Sequence, residues 1–113
     1  MEAFLKAEGK NIQAAYAHND DMALGAIQAI EEAGFKPGSD IIVVSIDGVK
    51  DAFNAMVAGK LNCSVECNPL LGPAAFDAME AIRTGKPMPK KTIVKDQLFE
   101  QSNAKDVIES RKY

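Results

Sequence analysis

The sequence is poor in the residues on which most catalytic and metal chemistry depends. Among its 113 residues there is no tryptophan and only one histidine, His18. That histidine has no obvious nucleophile as a partner, and a structural zinc site needs about four ligands, mostly cysteine and histidine. Glycine-rich dinucleotide and phosphate loops and the Gly-x-Ser-x-Gly elbow of hydrolases are also absent. The sequence therefore predicts a protein that is not an enzyme and that holds neither a metal nor a cofactor.

Cysteine is scarce as well, and its spacing argues against a disulfide. Cys63 and Cys67 are the only two cysteines, and they lie in a segment with the pattern of a β-strand. At about 3.3 Å per residue their Cα atoms would be roughly 13 Å apart, whereas a disulfide needs a separation within about 7 Å. We expect no bridge between these thiols.

Strong charge of one sign and long apolar runs are also missing. The net charge is -3 and no basic cluster exceeds a pair such as Lys90-Lys91, so nothing attracts the chain to nucleic acid. No apolar run approaches the roughly 20 residues that a membrane helix requires. Residues 1–6 lack the basic start and apolar core of a secretory signal. They have a helical pattern instead, which predicts a chain cut from a longer protein.

What the sequence does contain is an alternation of short apolar runs and longer amphipathic segments, in a length that suits one small domain. Strands are predicted at residues 12–17, 41–46, 61–67 and 92–95. Helices are predicted at residues 2–8, 22–33, 51–58, 72–84 and 103–111. The alternation favours an α/β fold with a parallel sheet and right-handed crossovers. The run 41–46 is apolar without alternation, as in parallel strands buried on both sides, so we expect helices on both faces of the sheet.

Two polar residues follow neighbouring strands of this predicted sheet. Asn19 comes after the first strand and Asp47 after the second, at the edge where open α/β sheets bind their ligands. An amide and a carboxylate can together hydrogen-bond a neutral ligand that is rich in hydroxyl groups. The alternative is structural: Asn19 or Asp20 caps the next helix, and Asp47-Gly48 forms a turn.

A magnesium site is the other possibility for the acidic residues Asp20, Asp21 and Asp47, as in a phosphorelay receiver domain. A receiver carries its phosphorylated aspartate after the third strand and a lysine after the fifth. Here Asp47 follows the second strand, and the third ends in Cys67-Asn68-Pro69. The order of elements therefore disfavours a receiver.

Three motifs, in this order along the chain, resemble type I periplasmic binding proteins and the effector domains of lactose-repressor-type regulators. They are residues 17–26 (AHNDDMALGA), 42–48 (IVVSIDG) and 65–73 (VECNPLLGP). The third motif is most similar to the galactofuranose-binding branch. Repressors usually have Asp-Asp where this chain has Asp-Gly, and they begin with a helix-turn-helix, so the transporter branch is favoured over the repressor branch.

The resemblance implies a sugar-binding component of an ABC transporter, with an extracytoplasmic full-length protein and a permease as partner. In that family a monosaccharide lies between two lobes, and the residues that match Asn19 and Asp47 hydrogen-bond its hydroxyls. Cys67 aligns with a hinge glutamine of ribose-type members. Because a thiol is a poor partner for a hydroxyl, this departure argues against ribose, and Cys67 is the third candidate ligand residue.

The resemblance also implies a division of the chain. Residues 1–66 would belong to the C-terminal lobe, 67–95 to a hinge crossing and a segment packed on an N-terminal lobe, and 96–113 to a returning strand and terminal helix. The main body of the N-terminal lobe would be missing, so we expect weak or no binding of free sugar. A homodimer or higher oligomer is expected, because an apolar stripe on the helix predicted at 72–84 would lack the lobe on which it packs. The stripe consists of Leu71, Ala74, Ala75, Ala78, Met79 and Ile82. The alternative is an assembly module that uses the fold without sugar.

Overall fold

The computed structural model describes all 113 residues, which form five α-helices and one four-stranded sheet. The helices are α1 (Glu2–Glu8), α2 (Asp20–Glu32), α3 (Lys50–Val57), α4 (Gly72–Arg83) and α5 (Gln101–Val107). The strands are β1 (Ala14–Tyr16), β2 (Ile42–Asp47), β3 (Cys63–Glu66) and β4 (Leu98–Glu100). Short 3-10 turns, Gly9–Asn11 and Ile108–Ser110, follow α1 and α5. None of the helices is long and apolar enough to cross a membrane.

The sheet has the strand order β1-β2-β3-β4. β1, β2 and β3 run parallel, while β4 is antiparallel to β3. The predicted α/β class and the three parallel strands are thus confirmed. The prediction of a strand at 92–95 is wrong, because those residues are exposed and form no strand pairing. The fourth strand begins at Leu98, where Phe99 lies opposite Ser64 and is buried.

In this chain the helices cover one face of the sheet. α1 packs on α2, α2 on α3, and α3 on α5, so these four helices form a single layer. Strand residues that face this layer are buried, among them Val43, Ser45, Ser64 and Phe99. The alternate residues point away from it, and the large apolar ones are between 41% and 61% exposed: Tyr16, Ile42, Val65 and Leu98. The second helical layer that the run 41–46 predicted is therefore not supplied by this chain.

The core lies between the helical layer and the buried face of the sheet. α2 contributes Ala23, Ile27 and Ile30 at helical spacing, and each large side chain of this kind stabilises the fold by roughly 1.5–3 kcal/mol on burial. α3 contributes Phe53, whose ring packs against Phe99 at a centroid distance of 4.8 Å and a tilt of 60°. These contacts hold the carboxyl ends of β1, β2 and β3 in fixed relative positions.

Helix α4 stands outside this core. None of its residues is buried, and the molecule is elongated, with principal extents of 60 × 30 × 15 Å. Pro73 lies in its first turn, where the missing N–H costs no helical hydrogen bond. Phe76, Met79 and Ile82 are between 63% and 71% exposed. The helix is well formed locally, and its apolar side chains have no partner within the chain.

Candidate ligand-binding site

Asn19 and Asp47 lie at the same edge of the sheet. β1 pairs with β2 so that Tyr16, the last residue of β1, lies opposite Val44, and Asn19 and Asp47 each follow this pair by three residues. Both are half-buried. The fold thus brings the two polar residues to neighbouring strand ends, which is the arrangement that the sequence predicted.

Asn19 caps α2 and also retains free donors. Its backbone is extended (φ -150°, ψ 170°), and its Oδ1 accepts a hydrogen bond of 2.8 Å from the Met22 N–H. The capping interpretation is therefore confirmed for Asn19. The cap uses only the oxygen, because the amide Nδ2 donates no hydrogen bond within the chain. A ligand acceptor can still bind these two N–H groups.

Asp47 combines a strained backbone with a carboxylate that has no partner in the chain. Its φ of 125° makes it the only residue other than glycine with a positive φ, a conformation that costs about 1–3 kcal/mol. Its backbone carbonyl accepts from the Cys67 N–H at 3.1 Å, whereas its side chain takes part in no hydrogen bond or ion pair. Asp47-Gly48 does end the strand, but the turn does not occupy the carboxylate, which remains an acceptor for a ligand.

The residue whose role sequence reasoning missed is Asp20. It is 1% exposed, and its Oδ1 accepts hydrogen bonds from the hydroxyls of Ser45 and Ser64. Its Oδ2 accepts from the N–H groups of Gly48 and Val49, both at 2.8 Å. Asp20 therefore ties the start of α2 to β2, β3 and the loop after Asp47, and both its oxygens are fully used.

A signal for this network was present in the sequence. Ser45 and Ser64 interrupt two otherwise apolar strands, and they lie directly opposite each other in the sheet. Buried hydroxyls require partners, so a nearby carboxylate is the expected one. Because both of its oxygens accept hydrogen bonds in this network, Asp20 is neither the helix cap nor a free metal ligand. The structure contains no group of three or more acidic, histidine or cysteine side chains arranged to hold a metal ion.

A second buried carboxylate, Glu66, lies at the end of β3. It accepts hydrogen bonds from Arg111 Nη1 (2.8 Å) and from the Tyr113 hydroxyl (2.7 Å), both on Oε1. Burial alone would raise its pKa, but the bonds from Tyr113 and Arg111 outweigh this effect and hold the pKa of Glu66 below its ordinary value. Burial and the same hydrogen bond raise the pKa of Tyr113. Glu66 is therefore charged and Tyr113 neutral at neutral pH.

We expect the ion pair of Glu66 with Arg111 to make the unfolding free energy fall as the pH becomes acidic. A carboxyl whose folded pKa is depressed contributes stability that is present above its unfolded value of about 4.3 and is lost as pH falls through the folded value. Glu66→Gln should therefore flatten the fall in unfolding free energy below about pH 5. Denaturant titrations between pH 7 and pH 3 measure this slope. The exposed Glu109→Gln is the control and should leave it unchanged, and equal slopes for Glu66→Gln and wild type would contradict the assignment.

Cys67 and His18 lie close to this edge. Cys67 is exposed just after β3, and its N–H donates a hydrogen bond to the Asp47 carbonyl. Both cysteines are free thiols. Burial, followed by the nearby Glu100 carboxylate, raises the pKa of Cys63, which is therefore a neutral thiol. His18 is exposed beside Tyr16, with ring centroids 5.3 Å apart. The edge thus offers amide donors and a carboxylate acceptor, which are suited to binding hydroxyl groups, with an exposed thiol beside them.

A chain of parallel strands with polar binding groups at their carboxyl ends is typical of solute-binding folds. The family described as "periplasmic binding protein domain" matches residues 1–87, and the chain belongs to this family. Galactofuranose-binding protein YtfQ of Escherichia coli K12 is 52% identical over 115 residues, which covers 99% of this chain and 36% of the relative. Ribose import binding protein RbsB of Bacillus subtilis 168 is 43% identical over 91 residues, covering 80% and 28%. The chain therefore spans about a third of the length of these relatives.

Solved structures agree with this assignment. One is the periplasmic binding component of the arabinose ABC transporter from Shewanella sp. ANA-3, bound to α- and β-L-arabinofuranose. It superimposes with a TM-score of 0.89 at 48% identity, over 98% of this chain and 37% of that one. A protein from Mycobacterium smegmatis in complex with β-D-fucofuranose gives a TM-score of 0.91 at 46% identity, over 99% and 36%.

Proposed function

We propose that this chain is part of the sugar-binding component of an ABC importer, and that its ligand is a monosaccharide in the furanose form. The full-length parent would be extracytoplasmic and would deliver the sugar to a membrane permease, binding it without catalysis. Relatives and structural neighbours that are 46–52% identical are described as binding galactofuranose, arabinofuranose or fucofuranose. The chain carries one wall of the cleft.

The observation that carries this proposal is the pair Asn19 and Asp47. The two lie at the carboxyl ends of neighbouring parallel strands, one with free amide donors and the other with a free carboxylate. A sugar hydroxyl both donates and accepts, so a carboxylate and an amide can each bind it with no change of charge. We place Cys67 at the rim of this site, because its backbone bonds directly to Asp47.

We further propose that residues 67–95 cross to another lobe of the parent, with 1–66 and 96–113 forming the lobe that carries Asn19 and Asp47. Two chain passages lie side by side where the crossing would occur. The Glu66 N–H donates to the Gln97 carbonyl (2.8 Å), and the Asn68 N–H donates to Asp96 Oδ1 (3.2 Å). Beyond this point α4 has no buried residue, which suits a helix whose partner is elsewhere in the parent.

The full-length parent should bind a furanose-forming sugar, and the isolated chain should bind it at least about 100-fold more weakly. A ligand site buries about 70–90% of its ligand, and a single wall cannot achieve this. Isothermal titration of both proteins with D-galactose, L-arabinose and D-ribose tests the prediction, with sucrose as a control. A parent that binds none of the monosaccharides would refute the proposed function. Micromolar binding by the isolated chain would refute the half-cleft description.

The isolated chain should also self-associate. Its open sheet face and α4 expose large apolar side chains, and surfaces of this kind usually find a partner. Light scattering should give the mass of a dimer or higher oligomer. If α4 is responsible, Met79→Glu combined with Ile82→Lys should restore a monomer, whereas the exposed Asp77→Asn on the other side of α4 should not. A monodisperse monomer for the wild-type chain would contradict the prediction.

A further inference from the structure

The C-terminal tail is fastened to the loop that follows Asp47. Arg111 donates two hydrogen bonds to the Gly48 carbonyl, from Nε at 3.1 Å and from Nη2 at 2.6 Å. The Lys50 N–H donates to the Tyr113 carbonyl at 2.9 Å. The loop is therefore held by a segment more than 60 residues away in the sequence, in addition to its own local turn.

The guanidinium of Arg111 is itself immobilised. Its third nitrogen, Nη1, donates a hydrogen bond to Glu66 Oε1, and the Arg111 side chain is only 9% exposed. Three aromatic rings surround it at centroid distances of 4.5–5.0 Å, those of Phe53, Phe99 and Tyr113. A planar cation that is stacked on rings and paired with a carboxylate has little freedom to move. Arg111 therefore acts as a fixed point for the Gly48 carbonyl.

Asp47 is positioned between several such fixed points. Its own carbonyl is bound by the Cys67 N–H, and Asp20 binds the N–H groups of Gly48 and Val49. Ser64 Oγ also accepts from the Gly48 N–H, and Arg111 binds the Gly48 carbonyl on the far side of that residue. A non-glycine residue persists at a φ of 125° only where its surroundings hold it there. With the Arg111 contact removed, the Gly48–Val49 peptide loses the partner of its carbonyl, and the surroundings hold the φ of Asp47 less firmly.

We propose that Arg111 is a positioning residue for ligand binding: by holding the Gly48 carbonyl it helps to keep Asp47 in its strained conformation, with the carboxylate directed at the ligand. This inference rests on the proposed function for the ligand, but its conformational part does not. Arg111 touches no ligand in this scheme. It acts through Asp47, and Glu66 and the aromatic rings act through Arg111.

The conformational part is tested in the 113-residue chain by a double-mutant cycle. Glycine tolerates positive φ and alanine does not, so D47G should be more stable than D47A while Arg111 is present. In an R111M background, and to a lesser extent in R111K, this advantage should shrink, because the backbone at residue 47 can relax further. R111K keeps the positive charge beside Glu66 and provides a folded variant if R111M unfolds. An undiminished advantage in both backgrounds would overturn the proposal.

The ligand part is tested in the full-length parent by titration with L-arabinose and D-galactose. R111M should weaken binding by about tenfold or more, the loss expected when a charged hydrogen bond no longer holds its partner. R111K should lie between R111M and wild type, and K60M, at the partly exposed ion pair of Lys60 with Glu31, should match wild type. In a D47A background R111M should have no further effect on affinity. A wild-type parent that binds no sugar refutes the proposed function, whereas a parent that binds equally well with R111M refutes the positioning role alone.

Discussion

Asp20→Ala is expected to unfold the isolated chain or to lower its unfolding free energy by more than about 4 kcal/mol. The substitution removes both acceptor oxygens and leaves three donors without a partner: the hydroxyls of Ser45 and Ser64 and the N–H of Val49. The Gly48 N–H loses its 2.8 Å bond and keeps only a 3.1 Å bond to Ser64 Oγ. Each buried group left unsatisfied costs about 1–3 kcal/mol. A small domain has a total stability of about 5–15 kcal/mol, so the loss is a large fraction of it. Circular dichroism with urea titration measures the change.

Two further variants separate the hydrogen-bond network from simple loss of charge. Asp20→Asn keeps the shape of the side chain but turns one acceptor into a donor, so it should be destabilised by less than the alanine variant and still by more than about 1 kcal/mol. Asp21→Ala removes a neighbouring, exposed carboxylate from the same helical turn and should cost less than about 1 kcal/mol. If Asp20→Ala and Asp21→Ala were equally stable, the network would not organise the loop as described.

The sequence predicted the parts of the fold that depend on local pattern. The periodicity of 22–33 predicted α2, Asn19 was a candidate for its cap, and the apolar run at 41–46 predicted the central strand β2. Each of these follows from the side chains of a single segment. The family assignment was also predictable, because the motifs around Asn19, Asp47 and Cys67 resemble those of type I periplasmic binding proteins, and the family match over residues 1–87 confirms it.

The remaining features depend on residues far apart in the chain. β4 begins at Leu98 because Phe99 is buried opposite Ser64, and nothing near residues 92–95 shows that they have no such neighbour. The four bonds of Asp20 and the contact of Arg111 with Gly48 join segments that only the folded chain brings together. The uncovered face of the sheet could not be predicted from the sequence for a related reason. The run 41–46 has the pattern of a strand covered on both faces, whereas this chain covers only one of them.

Taken together, the contacts around Asp47 describe a residue that is maintained at a cost in stability. Three separate segments hold the backbone on either side of it: α2 through Asp20, β3 through Cys67, and the tail through Arg111. Its own carboxylate contributes nothing to this network. A strained residue whose side chain is unused by the fold is expected where the side chain is needed by a ligand. Stability and binding should therefore respond in opposite directions when residue 47 is changed.

Asp47→Gly is accordingly expected to stabilise the protein while it abolishes tight sugar binding. Strain of about 1–3 kcal/mol is relieved, the greater flexibility of glycine in the unfolded chain opposes this by about 0.4–1 kcal/mol, and the net gain is about 1 kcal/mol. Loss of the carboxylate should weaken ligand binding in the full-length parent by about 100-fold, since a charged hydrogen bond contributes about 1.5–3 kcal/mol. Urea titration and isothermal titration with L-arabinose measure the two effects.

Asp47→Ala is the matched control for this prediction, because it removes the same carboxylate but keeps a Cβ at a positive φ. It should bind sugar as weakly as the glycine variant without the gain in stability, so the two variants separate the side-chain effect from the backbone effect. If alanine and glycine at position 47 gave equal stability, the backbone there would not be strained. If both retained wild-type affinity, the carboxylate would not contact the sugar, and the binding site would have to be sought at another part of the strand edge.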